Sequence, residues 1–179
     1  MTTIRNLPNL STTPQALKTW NSEKNRKLFS ENGILSPAEV EARGIVWAEF
    51  YCKIRSIEAK TFVNLVETMI IPACMKFQKE ICDSLIDTAT LLGSEAVAPQ
   101  KQILITVNSE INHMISEKEK LRDSLLKVKS EKDVFARAEM CHSMLLGGMT
   151  KLRVHVDKLE EIVDSKLWPF PKYSDIFCL

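Results

Sequence analysis

A chain of 179 residues makes one domain of ordinary size, or one with a small appendage. Its 24 basic and 23 acidic residues leave a net charge of +1, which removes any electrostatic case for nucleic acid or an anionic membrane as partner. No run approaches the ~18 consecutive apolar residues of a membrane span, the opening Met-Thr-Thr-Ile-Arg-Asn lacks the apolar core of a secretory signal, and five Gly with seven Pro argue against a loop-rich all-β fold.

Residues 1–13 are rich in Pro, Asn, Ser and Thr and read as a linker. Thr13 followed by Pro14 predicts an N-cap and a first-turn proline, opening a short helix to about Trp20. Ser22 begins a second helix, which stops at the glycine C-cap Asn32-Gly33. Ser36-Pro37-Ala38-Glu39 is a capping box: an N-cap hydroxyl, Pro at the first helical position and Glu at the third. Apolar residues then recur at helical spacing at Trp47, Phe50, Ile54, Ile57, Phe62, Leu65, Met69, Ala73, Phe77, Ile81 and Leu85. No turn signal intervenes before Leu92-Gly93-Ser94. An uninterrupted helix over 37–93 would run roughly 85 Å. A compact globule of this size is only roughly 40 Å across. The helix therefore breaks, or the domain is elongated. Pro72 predicts a kink, because it leaves the Thr68 carbonyl without its donor.

After Ala98-Pro99 a helix is predicted from about Gln100 to Lys129, with Ile111, Met114, Lys118, Leu121, Leu125 and Val128 stepping 3-4-3-4-3. A last helix runs from about Lys132 to Lys166, with Leu145, Met149, Leu152, Val156, Leu159 and Val163 stepping 4-3-4-3-4. These are heptad-like seams for near-antiparallel packing. Ser130 and Asp133 are candidates to cap the turn between the two helices. Period-2 alternation is scarce, so almost no sheet is expected. The predicted fold is all-α: an elongated antiparallel helical bundle with one long, Pro-kinked helix and a proline/aromatic C-terminal strap. The expected division is residues 1–35 as linker and short helices, and 36–179 as the helical domain.

The residues that could carry chemistry are few. Cys52, Cys74, Cys82, Cys141 and Cys178 are odd in number and form no C-x-x-C, which fits reduced thiols in a cytoplasmic protein. Cys141-His142, His113 and His155 lack a second Cys or His at zinc-ligand spacing, so no metal site is expected. Gly147-Gly148 lacks the spacing of a phosphate loop and follows no strand. Close helix approach or a local kink suits it better. The carboxylates of Glu117-Lys118-Glu119-Lys120 and Lys158-Leu159-Glu160-Glu161 lie in Lys-rich helical surface rather than in a pocket that would shift their pKa values. Met140, Met144 and Met149 are assigned to packing. No catalytic, cofactor-binding or metal residue is predicted.

The C-terminus is the exception. Trp168-Pro169-Phe170-Pro171-Lys172-Tyr173, with Ile176 and Phe177 beyond, cannot continue a helix through two prolines. It forms a stiff, aromatic strap whose rings suit an interface anchor. Trp168, Pro169, Phe170, Pro171, Tyr173 and Phe177 are the candidate docking residues, on the chain's own bundle or on a partner.

This tail resembles the Trp-Pro-x-Pro-x-Tyr ending of type III glutamine synthetases. Leu152-Arg153, Asp157-Lys158-Leu159-Glu160 and Val163 are similar to that family's run before the tail. Leu7-Pro8-Asn9-Leu10, Thr13-Pro14-Gln15-Ala16-Leu17, Ser22-Glu23-Lys24 and Leu28-Phe29 resemble the segment after its catalytic domain. Gly33 to Arg43, Ile70-Ile71-Pro72-Ala73 and Phe77-Gln78 resemble its C-terminal helical region. Between about Thr88 and Ala138 only helical character is shared. Gly44 departs from an expected aromatic, Gly147-Gly148-Met149 from a proline-containing step, Lys172 from a smaller polar residue, and Ile176 to Leu179 is a variant ending.

The resemblance implies a non-catalytic C-terminal helical domain that contributes scaffold and oligomer contacts. The complete enzyme would join ammonia to glutamate with ATP through a γ-glutamyl phosphate, use divalent metal ions and assemble as a double ring. Its ATP, metal and substrate residues would lie in a catalytic domain upstream, so no cofactor is expected in this chain. The implied partners are glutamine synthetase catalytic domains or subunits, as a homo-oligomer. A free-standing helical interaction module is the alternative. Met1 falls within the family's linker, which leaves open whether the chain derives from a split gene.

Overall fold

The computed structural model describes residues 9–172, 175 and 176. Among them the chain is all-α, without strands. It comprises α1 (Thr13–Trp20), α2 (Glu23–Glu31), α3 (Pro37–Leu65), α4 (Ile71–Leu92), α5 (Ala98–Ser130), α6 (Val134–Met140) and α7 (Gly147–Ile162). Two π turns, Val66–Ile70 and Cys141–Leu146, join α3 to α4 and α6 to α7, and a 3-10 turn, Ser94–Val97, leads into α5. The contacts divide the chain into two compact units, residues 1–59 with 124–147 and residues 60–123 with 148–179.

The helix termini follow their local chemistry. In the Ser36 capping box, Glu39 Oε2 accepts from the Ser36 N–H at 2.7 Å, and Ser36 Oγ accepts from the Glu39 N–H at 3.3 Å. The α2 C-terminus is a Schellman motif. Gly33 sits at φ +65°, its N–H bonds the Ser30 carbonyl, and the Ile34 N–H bonds the Phe29 carbonyl. Asp133 caps α6 through the Ala136 N–H at 2.6 Å. Ser130 takes no part in that cap and donates back to the Lys127 carbonyl. The α1 cap is Thr12 rather than Thr13, and Pro14 is the second helical residue. Thr12 places Gln15 at the third helical position, so its oxygen can accept from the Gln15 N–H.

Pro72 does not end the helical path. The Val66–Ile70 π turn lies just before it, with the Ile71 N–H reaching back to the Val66 carbonyl. This wider winding adjusts the backbone where the proline ring would crowd the Thr68 carbonyl. Thr68 Oγ1 donates to the Asn64 carbonyl at 2.7 Å, a back-bond that also bends helices.

In the first unit, Val40, Ala48, Cys52 and Ala59 form the buried face of α3. The apolar stripe anticipated for this helix runs elsewhere: Trp47, Phe50 and Ile57 are exposed. Small side chains point inward and the bulky ones face out. Trp20 anchors α1 here, donating from Nε1 to the Val40 carbonyl at 3.0 Å and meeting Phe29 at a tilt and Trp47 edge-on. A Cβ at Gly44 would lie 3.1 Å from Asn21 Oδ1, so the aromatic anticipated at this position would have to displace the Asn21 side chain.

In the second unit, the seams of α5 and α7 bury Ile111, Met114, Leu121, Leu152, Val156 and Leu159. Gly148 is the close-approach point. A Cβ would meet Leu121 Cδ1 at 3.0 Å, whereas one at Gly147 would meet nothing within 4 Å. Lys118 occupies a seam position and is buried, with 7% exposure. Its ammonium bonds Glu67 Oε1 at 2.9 Å and Glu119 Oε1 at 2.8 Å, and Arg122 also pairs with Glu67. A charge can sit in the seam only because it is paired and hydrogen-bonded.

Candidate functional site

The strap begins where α7 stops. The Trp168 N–H bonds the Asp164 carbonyl at 3.0 Å, turning the chain. Lys172 Nζ donates to the Val163 carbonyl at 2.7 Å, closing a loose end of the helix that a shorter polar side chain would not reach. Trp168 is buried, with 6% exposure. Pro169 and Phe170 are half-buried and Pro171 is exposed. Tyr173 and Phe177 lie outside the described residues. Trp168, Phe170 and Pro171 wall a groove of about 360 Å³ with Phe62, Leu65 and Val156 of their own unit. The indole thus packs on its own bundle and leaves an open apolar trough beside it.

The titratable groups are arranged for structure. A general acid working near neutral pH needs a carboxyl pushed upward. Here the perturbed carboxyls are held down. Hydrogen bonds from Lys118 and the nearby Arg122 lower Glu67, and the bond from Lys120 lowers Glu117. Burial would raise Glu110, but hydrogen bonds from His155 and Lys158 outweigh it and hold it below the usual range. Glu39 is lowered by the Ser36 N–H and hydroxyl of its capping box.

Two cysteines meet in the first unit. A hydrogen bond from the Cys141 thiol, helped by Arg137, pulls Cys52 down to about 7, while Cys141, bound to Cys52 and buried, is pushed up. Cys74 in the second unit is pushed up to about 11 by burial, as an inert core thiol would be.

One cluster escaped the sequence reading. Glu110 and His113, three apart on α5, meet His155 of α7, with one ligand atom from each lying within 4.8 Å of the others. Glu110 and His113 stand at a Glu-x-x-His spacing, which Cys and His positions alone do not reveal. That spacing puts both side chains on one helix face. Nothing local announces His155.

Gly147-Gly148 and the carboxylates Glu67, Glu117 and Glu119 do not make a nucleotide-phosphate site. Gly147 is helical, at φ −62° and ψ −39°, and continues a helix rather than a phosphate-cradling loop. The carboxylates Glu67, Glu117 and Glu119 already face lysine or arginine.

Comparison with known proteins supplies the decisive observation. Residues 2–89 match the family described as glutamine synthetase C-terminal domain. A type-3 glutamine synthetase of Dictyostelium discoideum is 38% identical over 179 residues, covering 98% of this chain and 24% of that protein. Residues 2–89 thus belong to the glutamine synthetase C-terminal domain family, and nearly the whole chain is similar to the type-3 enzyme. A glutamine synthetase of Butyrivibrio fibrisolvens is 23% identical over 172 residues, with 96% and 25% coverage. One of Bacteroides fragilis is 25% identical over 180 residues, with 96% and 24% coverage. The chain spans about a quarter of the length of these relatives. No helix among the described residues is long and apolar enough to cross a membrane.

Proposed function

We propose that this chain serves as the helical C-terminal part of a type III glutamine synthetase, contributing scaffold and subunit contacts while the chemistry resides elsewhere. The observation that carries this reading is the 38% identity spread over 98% of the chain, against only 24% of the type-3 enzyme. The parent activity, on this reading, is ATP-dependent joining of ammonia to glutamate, and the partners are glutamine synthetase subunits in a homo-oligomer. ATP and divalent metal would be bound by the catalytic domain. The odd set of cysteines without a C-x-x-C supports a reducing, cytoplasmic setting.

The surface supports the contact role. Val46, Trp47, Phe50 and Ile57 form an exposed apolar stripe on α3, rich in the residue types that anchor interfaces.

The test is a chimera in which this chain replaces the matching region of the Dictyostelium enzyme. The chimera is expected to assemble to the parent's mass and to make glutamine. The chain alone is expected to make none and to show no ATP affinity tighter than millimolar by calorimetry. A folded chimera that stays monomeric would refute the scaffold role. Glutamine formation by the chain alone would refute the assignment of chemistry elsewhere.

A further inference from the structure

We infer that Glu110, His113 and His155 form a binding site for one divalent transition-metal ion of the zinc class, fastening α5 to α7 within the second unit. The inference is independent of the glutamine synthetase reading. The ligand atoms lie within 4.8 Å of one another. The two imidazole rings stand 5.2 Å apart at a tilt of 30°. Glu110 Oε2 is 2.6 Å from His155 Nδ1. A tetrahedral zinc ion with bonds of ~2.1 Å separates its ligand atoms by about 3.4 Å. The separations, 2.6 Å for Glu110 Oε2–His155 Nδ1 and up to 4.8 Å across the set, bracket that value.

The donor set selects the class of ion. Two imidazoles and one carboxylate suit zinc and its neighbours, whereas magnesium and calcium prefer oxygen ligands. The Glu-x-x-His spacing presents two ligands from one helix, as in metal-binding bundles. Lys158 holds Glu110 Oε1 at 3.0 Å, acting as the outer-shell partner that orients a ligating carboxylate, while Oε2, hydrogen-bonded to His155 without the ion, would turn to it. His113 is exposed, so solvent can enter from its side and fill the fourth position. Metal entry replaces the hydrogen bond between Glu110 and His155 with bonds to the ion. The opposing charge is that of Lys158, and the competing role for the cluster is a plain ion-pair network between two helices.

Calorimetric titration of the tag-free, chelator-stripped chain with zinc chloride separates the two. The expected result is one zinc per chain, with a melting temperature that rises with zinc concentration. His113→Ala and His155→Ala are each expected to weaken binding at least ~10-fold, since loss of even an outer-shell partner costs about that much. His142→Ala, on α6–α7's joining turn in the other unit, is expected to bind like wild type. His113 is exposed, so its replacement should leave the zinc-free circular dichroism and melting unchanged. Absence of a stoichiometric zinc, or zinc affinity unchanged in a folded His113→Ala, would overturn the site. The second result would assign the ion to the cysteines or to the surface.

Discussion

Replacing Trp168 by Ala tests whether the strap stabilises its own unit. The indole is buried beside Phe62, Leu65 and Val156, and its removal enlarges a groove that already holds about 360 Å³. Truncation of a fully enclosed Trp costs about 3–5 kcal/mol. Here one side of the ring borders an open trough, and neighbouring side chains can settle into the space. We therefore expect about 2–3 kcal/mol, below that range. For a chain of this length each kcal/mol moves the melting temperature by about 2–4 °C, so a fall of about 4–12 °C is expected. Thermal and urea melts followed by far-UV circular dichroism, at two protein concentrations tenfold apart, provide the measurement. The fall should be the same at both concentrations, because the ring is buried within one chain. Pro171→Ala, at an exposed position, should change little. A loss below ~1 kcal/mol for Trp168→Ala, or a loss seen only at high concentration, would refute intramolecular burial of the indole as the strap's anchor.

The two adjacent glycines should respond oppositely. Gly147→Ala meets open space in a helix and should stabilise by up to ~1 kcal/mol. Gly148→Ala must displace the buried Leu121 side chain, and an overpacking cost of about 1–3 kcal/mol should offset or exceed the same helix gain. Equal melting of the two variants would remove Gly148 as a close-approach point. The Glu67–Lys118 pair should make stability depend on pH at both ends. Glu67 is lowered by Lys118, so its contribution is present above about pH 4.3 and is lost as pH falls through its lower folded value. For Lys118, burial opposes the charge, but the bonds to Glu119 and Glu67 prevail and raise it. Its contribution holds below about pH 10.4 and is lost as pH rises through the higher folded value. Urea midpoints of wild type and Glu67→Gln should therefore converge in acid, and a difference constant with pH would contradict the pairing. Phe50→Glu, on the exposed α3 stripe, should leave melting nearly unchanged while lowering the mass of any oligomer seen by light scattering. Unchanged assembly would take the stripe out of the contact surface.

The all-α fold was legible because helix punctuation is local. The Ser36 capping box, the Gly33 terminus and the Asp133 cap each depend on side chains within a few residues of the backbone groups they satisfy. The α5 and α7 seams were legible because large aliphatic residues mark them, and Lys118 could be placed in the seam although its partner could not. The inner face of α3 was not. Ala48, Cys52 and Ala59 carry little hydrophobic signal, yet they are what a close neighbour requires, while Trp47 and Phe50 drew attention to the outer face. The π turn before Pro72 was hidden for another reason. A periodicity reports only the mean winding, and one turn of wider winding leaves it nearly unchanged. The His155 cluster depends on residues 45 positions apart meeting across two helices, as Glu110 and His155 do, which no spacing within one helix reveals.

The charges and the apolar surface together favour an assembly role. Carboxylates with the best chance of chemistry, Glu67 and Glu110, are each shared between two basic partners. Their hydrogen bonds stabilise the ionised form, which makes them poor proton donors near neutral pH and good struts between helices. The apolar surface is treated differently. Phe50 is 63% exposed and Trp47 44%, on the same helix whose inner face is lined by alanine and cysteine. A monomeric protein under no other demand gains by placing such rings inside, where burial of each is worth about 1.5–3 kcal/mol. Small residues within and large ones without therefore point to a second surface that covers the outer face. The glutamine synthetase relatives are about four times as long as this chain, and under the proposed function the rest of such a protein would supply that surface.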